Sequence, residues 1–180
     1  MRNRWLTGSL IALLVQGALI AVAQNTAKTS HATIDCQKIT YNWTSNKFEF
    51  SGRATIKVKG PKGDATIESP SVTGEGDLQA SVIKQMKAAG PVHFDVFTKG
   101  PRPRHIVATC TRDATYSEET GVAVLSGNAK VVIDDVPKTP TSQSGELHGD
   151  KITMNMKTGE VNVTEGAHFE GDLPSKEAKE

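Results

Sequence analysis

The chain has 180 residues with 21 basic and 20 acidic side chains, which gives a formal net charge of +1 at pH 7. This balance argues against nucleic acid as a partner, because nucleic-acid-binding domains present a strongly basic face. Aromatic residues make up only 5% of the chain. A chain poor in aromatics and rich in Thr and Val suits a thin β-sheet structure better than a thick globular core.

The first 23 residues have the layout of a secretory signal peptide. Arg2 and Arg4 precede an apolar run over residues 6–22, and Ala21-Val22-Ala23 is a cleavage pattern before Gln24. The alternative is an uncleaved anchor helix, although spanning a bilayer takes about 20 apolar residues and this run contains polar and glycine positions. We therefore expect cleavage after residue 23 and export, which in a bacterium with two membranes leads to a periplasmic location.

The remaining chain is expected to form one domain. Residues 24–32 are a polar linker, residues 33–172 the domain, and residues 173–180 a charged tail whose composition is typical of disorder.

Within the domain, alternating apolar residues predict strands. In chain order they cover residues 34–41, 48–58, 65–72, 91–98, 113–116, 122–133, 146–156 and 160–169. Turn residues predict loops at 60–64, 74–77, 99–104 and 134–144. The three positive charges of the 99–104 turn point to a solvated loop, with binding of an anionic group as the alternative.

Residues 78–89 carry conflicting signals. Asp77 is suited to cap a helix, and Leu78, Val82 and Met86 have helical spacing. The spacing of the glycines described next favours a strand from about Ser81, and long-range pairing often overrides local propensity. We expect a strand.

Four glycines recur at a nearly constant interval inside or beside strand-like runs. Gly52, Gly90, Gly127 and Gly166 are separated by 38, 37 and 39 residues. A glycine within a strand marks a bulge or bend, and a period near 38 built from strand pairs predicts a stacked β array. We expect the first three glycines to mark equivalent bends.

Other residue patterns give little indication of a disulfide, a metal site or a catalytic site. Cys36 and Cys110 are an even pair that an oxidising compartment could join, but their offsets from the glycines differ by one residue, which predicts opposite strand faces. His148 and Asp150 are two metal-ligand types on one strand, too few for a metal site. No catalytic motif is present, so we predict no enzyme, no catalytic residue, no metal and no cofactor.

The repeated units resemble the OstA-like domain of lipopolysaccharide transport. The residues that carry the resemblance are Ala-Thr-Tyr at 114–116, Ile-Thr-Met at 152–154, and Val-x-Val-x-x-Gly-Asn-Ala-x-Val at 122–131. This domain is shared by the periplasmic lipopolysaccharide-export protein A, its membrane-anchored partner protein C and the N-terminal part of the outer-membrane receptor protein D. The resemblance covers residues 33–170, and the length and expected cleavable signal are most similar to protein A.

The resemblance implies an all-β jellyroll, in which two antiparallel sheets form an open V-shaped trough built from ~38-residue strand-pair repeats. It also implies that the interior holds the acyl chains of lipopolysaccharide or a related glycolipid and that the end strands pair with neighbouring copies or other OstA-like proteins. Such a protein would bridge the inner and outer membranes. The alternative is a secreted structural or adhesive β-repeat protein with a filled core and no lipid cargo.

The strand period selects candidate lipid-binding residues. Side chains two before, two after and four after each glycine share one strand face, and the alternate positions carry charges at Arg53, Lys57 and Lys130. The nine candidates have no polar side-chain group: Phe50, Ala54, Ile56, Ala88, Val92, Phe94, Leu125, Ala129 and Val131. We expect this stripe to line the interior. The edges near residues 34–39 and 161–169 are expected to join copies head to tail.

Overall fold

A computed structural model describes residues 31–60, 63–78, 82–99, 103–137, 144–155, 158 and 160–171. These residues form antiparallel strands and connecting turns, without a helix, and none of their segments could cross a membrane as a helix. The expected signal peptide, most of the linker and the tail at 173–180 lie outside the described residues.

Twelve strands follow one another within these ranges. They are β1 (His31–Asp35), β2 (Lys38–Asn42), β3 (Lys47–Lys59), β4 (Gly63–Asp77), β5 (Val82–Ala89), β6 (Val92–Thr98), β7 (Arg104–Cys110), β8 (Asp113–Ser117), β9 (Val122–Asp135), β10 (Ser144–Asn155), β11 (Glu160–Thr164) and β12 (His168–Gly171).

The strands form one continuous sheet that is folded into two layers. Layer one has the order β1-β3-β4-β6-β7-β9-β10-β12, and layer two has the order β2-β3-β4-β5-β8-β9-β10-β11. The four long strands β3, β4, β9 and β10 belong to both layers. In the other rungs a pair of short strands takes the place of one long strand. These pairs are β1/β2, β6/β5, β7/β8 and β12/β11. The described chain is therefore a stack of eight rungs, each of which passes through both layers.

Every rung changes layer at the same line, which we call the crease. The pairing of β3 with β4 shifts between Ser51 and Ala54, and the pairing of β9 with β10 shifts between Gly149 and Lys151. The backbone has positive φ at Gly52 and Gly127. Such bulges bend a strand sharply. The predicted bend glycines thus lie at the crease of every second rung, and Gly90, between β5 and β6, lies there without a positive φ.

The alternation of the sequence decides which side chains face inwards. In β3, β7 and β9 buried residues alternate with more exposed ones, because successive side chains point to opposite faces of a strand. The buried apolar residues of both layers join into a single core between them. This arrangement confirms the predicted all-β class and jellyroll architecture.

Residues 82–89 form a strand, as the glycine spacing predicted. The predicted loop at 74–77 is wrong, because β4 continues to Asp77. Gly74 pairs with Met86 and Gly76 with Ile83 in the β4–β5 ladder. Long-range pairing therefore overrides the turn composition of this segment.

The N-terminal strands also differ from the prediction. β1 begins at His31, inside the predicted linker, and the predicted strand at 34–41 is divided into β1 and β2 because the first rung also turns at the crease. There the N–H of Gln37 donates to the carbonyls of Ser51 and Gly52.

Candidate lipid-binding interior

All nine sequence-predicted residues lie in the core between the layers. Their exposed fractions range from 0% for Ala88 to 8% for Phe94. Phe50, Ala88 and Leu125 lie in layer two, and the other six lie in layer one beyond the crease. The alternate positions Arg53 and Lys57 are exposed. The sequence thus placed this stripe correctly on the inner face.

The stripe is only part of the apolar interior. It follows the rungs that carry a bend glycine, and the rungs between them contribute further buried apolar residues. Alternation on each side of the crease identifies those residues, although in β4 and β10 it shifts by one residue at the crease itself. They include Ile67, Val72, Ile106, Ala114, Ile152 and Met154, all buried.

The interior is filled by its own side chains. Phe48 and Phe50 stack with a centroid distance of 5.0 Å, and Val72, Ala88 and Ile152 are completely buried. All strand pairings of the described residues run within a layer. The two layers are therefore connected through the crease and otherwise face each other through apolar side chains.

Two surface concavities lie outside this core. One, of about 580 Å³, follows the outside of the crease beside Arg53 and His93. The other, of about 530 Å³, is lined by outward-facing residues of layer two such as Lys47 and Lys87. Both linings include charged side chains, which the interior between the layers has, among the described residues, only at Arg104.

The apolar interior reaches both ends of the stack. On the first rung Ile39 pairs with the buried Phe50, and on the last rung Phe169 pairs with Leu147. These two end residues are 56% and 49% exposed. Each lies on the core-facing side of its strand, and its exposure arises because no further rung covers it. The stack therefore ends in two partly uncovered apolar surfaces.

The two ends carry opposite charge. Residues 31–60 contain five Lys or Arg side chains and two carboxylates, whereas the described residues between 144 and 171 contain one Lys and five carboxylates. Lys130 contacts Glu146 at 2.8 Å. This hydrogen bond and a second one from His148 hold the pKa of Glu146 below its ordinary value.

One charged side chain enters the core among the residues that the structure describes. Arg104 was predicted in a solvated turn, and this prediction is wrong because Arg104 begins β7 and is only 7% exposed. Its Nε donates to Asp135 Oδ1 at 3.1 Å. Its alternation with the buried Ile106 and Ala108 places it on the inner face. Sequence analysis missed it because the turn residues before it concealed the start of the strand.

The remaining polar candidates are engaged elsewhere. His148 contacts Glu146, and Asp150 contacts Arg112. The described part of the chain contains no group of three potential metal ligands. Cys36 and Cys110 are free thiols, and burial raises the pKa of Cys110.

Comparison with known proteins agrees with this architecture. A family model described as the LptA/(LptD N-terminal domain) LPS transport protein matches residues 33–160. The chain belongs to this family. The LptA/LptD N-terminal domain family is a transport family. No match was found among curated protein sequences.

A solved structure supports the fold of this LptA-like chain. It is the crystal structure of LptH, the LptA-homologous periplasmic component of the lipopolysaccharide transport device of Pseudomonas aeruginosa. The match has a TM-score of 0.54 at 13% identity and covers 79% of this chain and 94% of that chain. At this identity the likeness concerns the fold alone.

Proposed function

We propose that this LptA-like chain is a periplasmic carrier that shields the acyl chains of lipopolysaccharide, or of a related glycolipid, between its two layers. The observation that carries the proposal is the apolar interior, which continues through all eight rungs and is uncovered at both ends. Alkyl chains need such a surface and no specific hydrogen-bonding pattern. Membership of a lipopolysaccharide transport family supports the choice of cargo.

Cargo enters through the side opposite the crease, which we call the mouth. At the mouth the rungs end or turn, with Thr98 and Arg104 in layer one and Ser117 and Val122 in layer two. Parting the layers there leaves every described strand ladder intact, since the ladders run within a layer. It exposes apolar side chains, and the acyl chains cover them again. Each methylene transferred from water contributes roughly 0.8 kcal/mol, so several acyl chains offset the opening.

When copies stack end to end, or stack on other OstA-like proteins, their apolar interiors join and extend across the periplasm. The strands β1, β2, β11 and β12 are the edges of the two layers, and unpaired strand edges accept a strand from another chain. The basic first rungs face the acidic last rungs when copies stack head to tail, which favours that orientation over head to head. A contact of this kind generates an open filament.

The filled interior favours a second function, that of a structural or adhesive β-repeat protein without cargo. In such a protein the core residues would serve stability only. The two functions differ in whether a glycolipid contacts the interior, and this difference can be measured directly.

Two phenylalanines on one strand provide a matched test of lipid binding. Phe94 is buried in the core, whereas Phe97, three residues further along β6, is 45% exposed on the outer face. We expect Phe94→Asp to abolish lipopolysaccharide binding and Phe97→Asp to leave it unchanged. Circular dichroism establishes that each variant is folded, because an unpaired buried charge is costly. A folded Phe94→Asp protein with parental affinity would rule out the interior as the binding site.

The end surfaces allow a separate test of bridging. Ile39→Asp places on the uncovered first rung a charge that repels the acidic last rungs, and charges pointing inwards at an edge oppose strand pairing. We expect this variant to remain monomeric at concentrations at which the parent forms filaments, and we expect salt to weaken the parental association. Phe97→Asp, away from both ends, is the control. A parent that stays monomeric over a wide concentration range, with no OstA-like partner recovered, would contradict bridging.

A further inference from the structure

Arg104 is the one buried charged side chain among the described residues. It belongs to the inner face of β7, where Ile106 and Ala108 follow it at alternate positions. A charge in an apolar interior is unfavourable unless a partner compensates it. Its presence beside the proposed acyl-chain site therefore calls for an explanation.

The backbone holds Arg104 firmly at the mouth. Its N–H donates to Thr98 Oγ1 at 2.9 Å, and Arg104 pairs with Asp135 across the β7–β9 ladder. Next to it, the N–H of Val136 donates to the carbonyl of Pro103 at 2.9 Å. The Arg104 side chain therefore extends from a fixed backbone position at the boundary between the apolar interior and the solvent.

Its side chain keeps donors available for a second anion. A guanidinium has five N–H donors, and the hydrogen bond to Asp135 uses the one on Nε. Among described side chains, Asp135 is the partner to which this guanidinium donates. The two terminal nitrogens present the planar arrangement that binds a phosphate through two parallel hydrogen bonds.

We propose that Arg104 binds a phosphate of the cargo at the junction between its acyl chains and its headgroup. This inference rests on the proposed function, since acyl chains in the interior are what bring the headgroup to the mouth. It narrows the cargo to acylated amphiphiles that carry a phosphate beside the chains. Asp135 holds the guanidinium in place before the cargo arrives and competes with the phosphate for it.

The test compares the binding of two lipids to the full mature protein. The probes are lipopolysaccharide and the same material after its phosphates have been removed with hydrofluoric acid. We expect the parent to bind the phosphorylated lipid more tightly. Arg104→Met keeps an unbranched side chain without the charge. It should weaken binding of the phosphorylated lipid by about tenfold or more, since tenfold is the effect of losing just one of the two charge-assisted hydrogen bonds. Its affinity for the phosphate-free lipid should match that of the parent.

Further variants separate phosphate binding from a structural role. Arg104→Lys keeps the charge without the planar pair of donors and should fall between the parent and Arg104→Met. Arg112→Met removes an exposed cation, paired with Asp150 outside the core, and should change neither affinity. If Arg104→Met does not fold, Asp135→Asn decides the question. It should strengthen binding of the phosphorylated lipid alone, because it removes the competing carboxylate.

The outcomes distinguish this inference from the proposed function. If Arg104→Met lost affinity equally for both lipids, or lost affinity for neither, phosphate binding by Arg104 would be overturned. An unchanged or weaker affinity of Asp135→Asn for the phosphorylated lipid would do the same. If the parent binds both lipids equally, carriage of lipid stands and the phosphate site is refuted. If the parent binds neither lipid, the proposed function itself fails.

Discussion

The crease glycines differ in how their surroundings constrain them, which makes the cost of a methyl group at each one predictable. Gly127 has φ +80°, and a Cβ built there would lie 2.6 Å from Thr111 Oγ1 and 3.0 Å from the nitrogen of Arg112. Gly166 has φ +74°, but a Cβ there meets nothing within 4 Å. Gly90 lacks the positive φ, yet a Cβ there would crowd the backbone oxygens of Thr111 and Arg112.

These differences separate backbone strain from crowding. An alanine in the left-handed region costs about 1–2 kcal/mol, and overpacking costs about 1–3 kcal/mol. Gly127→Ala incurs both. Because the stiffer unfolded chain of an alanine variant offsets about 0.4–1 kcal/mol, it should lower the free energy of unfolding by about 1–4.5 kcal/mol. Gly166→Ala incurs only strain, partly offset by about 0.4–1 kcal/mol from the stiffer unfolded chain. Gly90→Ala incurs only crowding.

Urea unfolding followed by circular dichroism measures all three variants against the parent. The total stability of a domain is about 5–15 kcal/mol, so the predicted loss in Gly127→Ala is large. The slope of the transition should stay unchanged, which would show that the difference is one of stability. Equal losses in Gly127→Ala and Gly166→Ala, or a Gly127→Ala variant as stable as the parent, would refute the reasoning.

Three further predictions concern the core, the acidic end and the N-terminus. Ile152 is completely buried, so Ile152→Ala should lower the free energy of unfolding by about 2–5 kcal/mol, whereas Ile39→Ala on the uncovered first rung should have a much smaller effect in the same urea assay. The lowered pKa of Glu146 means that its stabilising contribution is present above the ordinary glutamate pKa and is lost as the pH falls through the lowered value. An NMR titration should show this low midpoint, and Lys130→Met should raise it; a midpoint unaffected by that change would exclude the contact. N-terminal sequencing of the exported protein should begin near Gln24, and recovery of Met1 in the membrane fraction would indicate an anchored form.

The sequence predicts the inner face of β3 and β9 well because strand alternation survives their bends. In β4 and β10 the alternation shifts by one residue at the crease. Phe50 and Ala54 lie on opposite sides of the Gly52 bulge, yet both point inwards, since the two are four residues apart and the parity is retained. The glycine interval corresponds to two rungs of the stack. The jellyroll architecture is predicted by the resemblance to the OstA-like domain, because periodicity alone does not specify it.

Features that depend on long-range pairing were not predictable in the same way. Gly74 and Gly76 have the composition of a turn, and only the ladder to β5 keeps them extended. Arg104 follows turn-forming residues. Only the β7–β9 ladder shows that it begins a strand, in which alternation with Ile106 places it on the inner face. The packing of the interior against itself is likewise a property of the two layers together, so no single strand indicates it.

The central claim is that a glycolipid lies between the two layers, and crosslinking from within the core tests it most directly. A photoreactive phenylalanine analogue at Phe94 samples the interior, and the same analogue at Phe97 samples the outer face of the same strand. The account predicts a crosslink to lipopolysaccharide from position 94 and none from position 97 when cells producing each variant are irradiated. A crosslink from position 97 alone, or none from position 94 in a folded protein that binds the lipid, would contradict it.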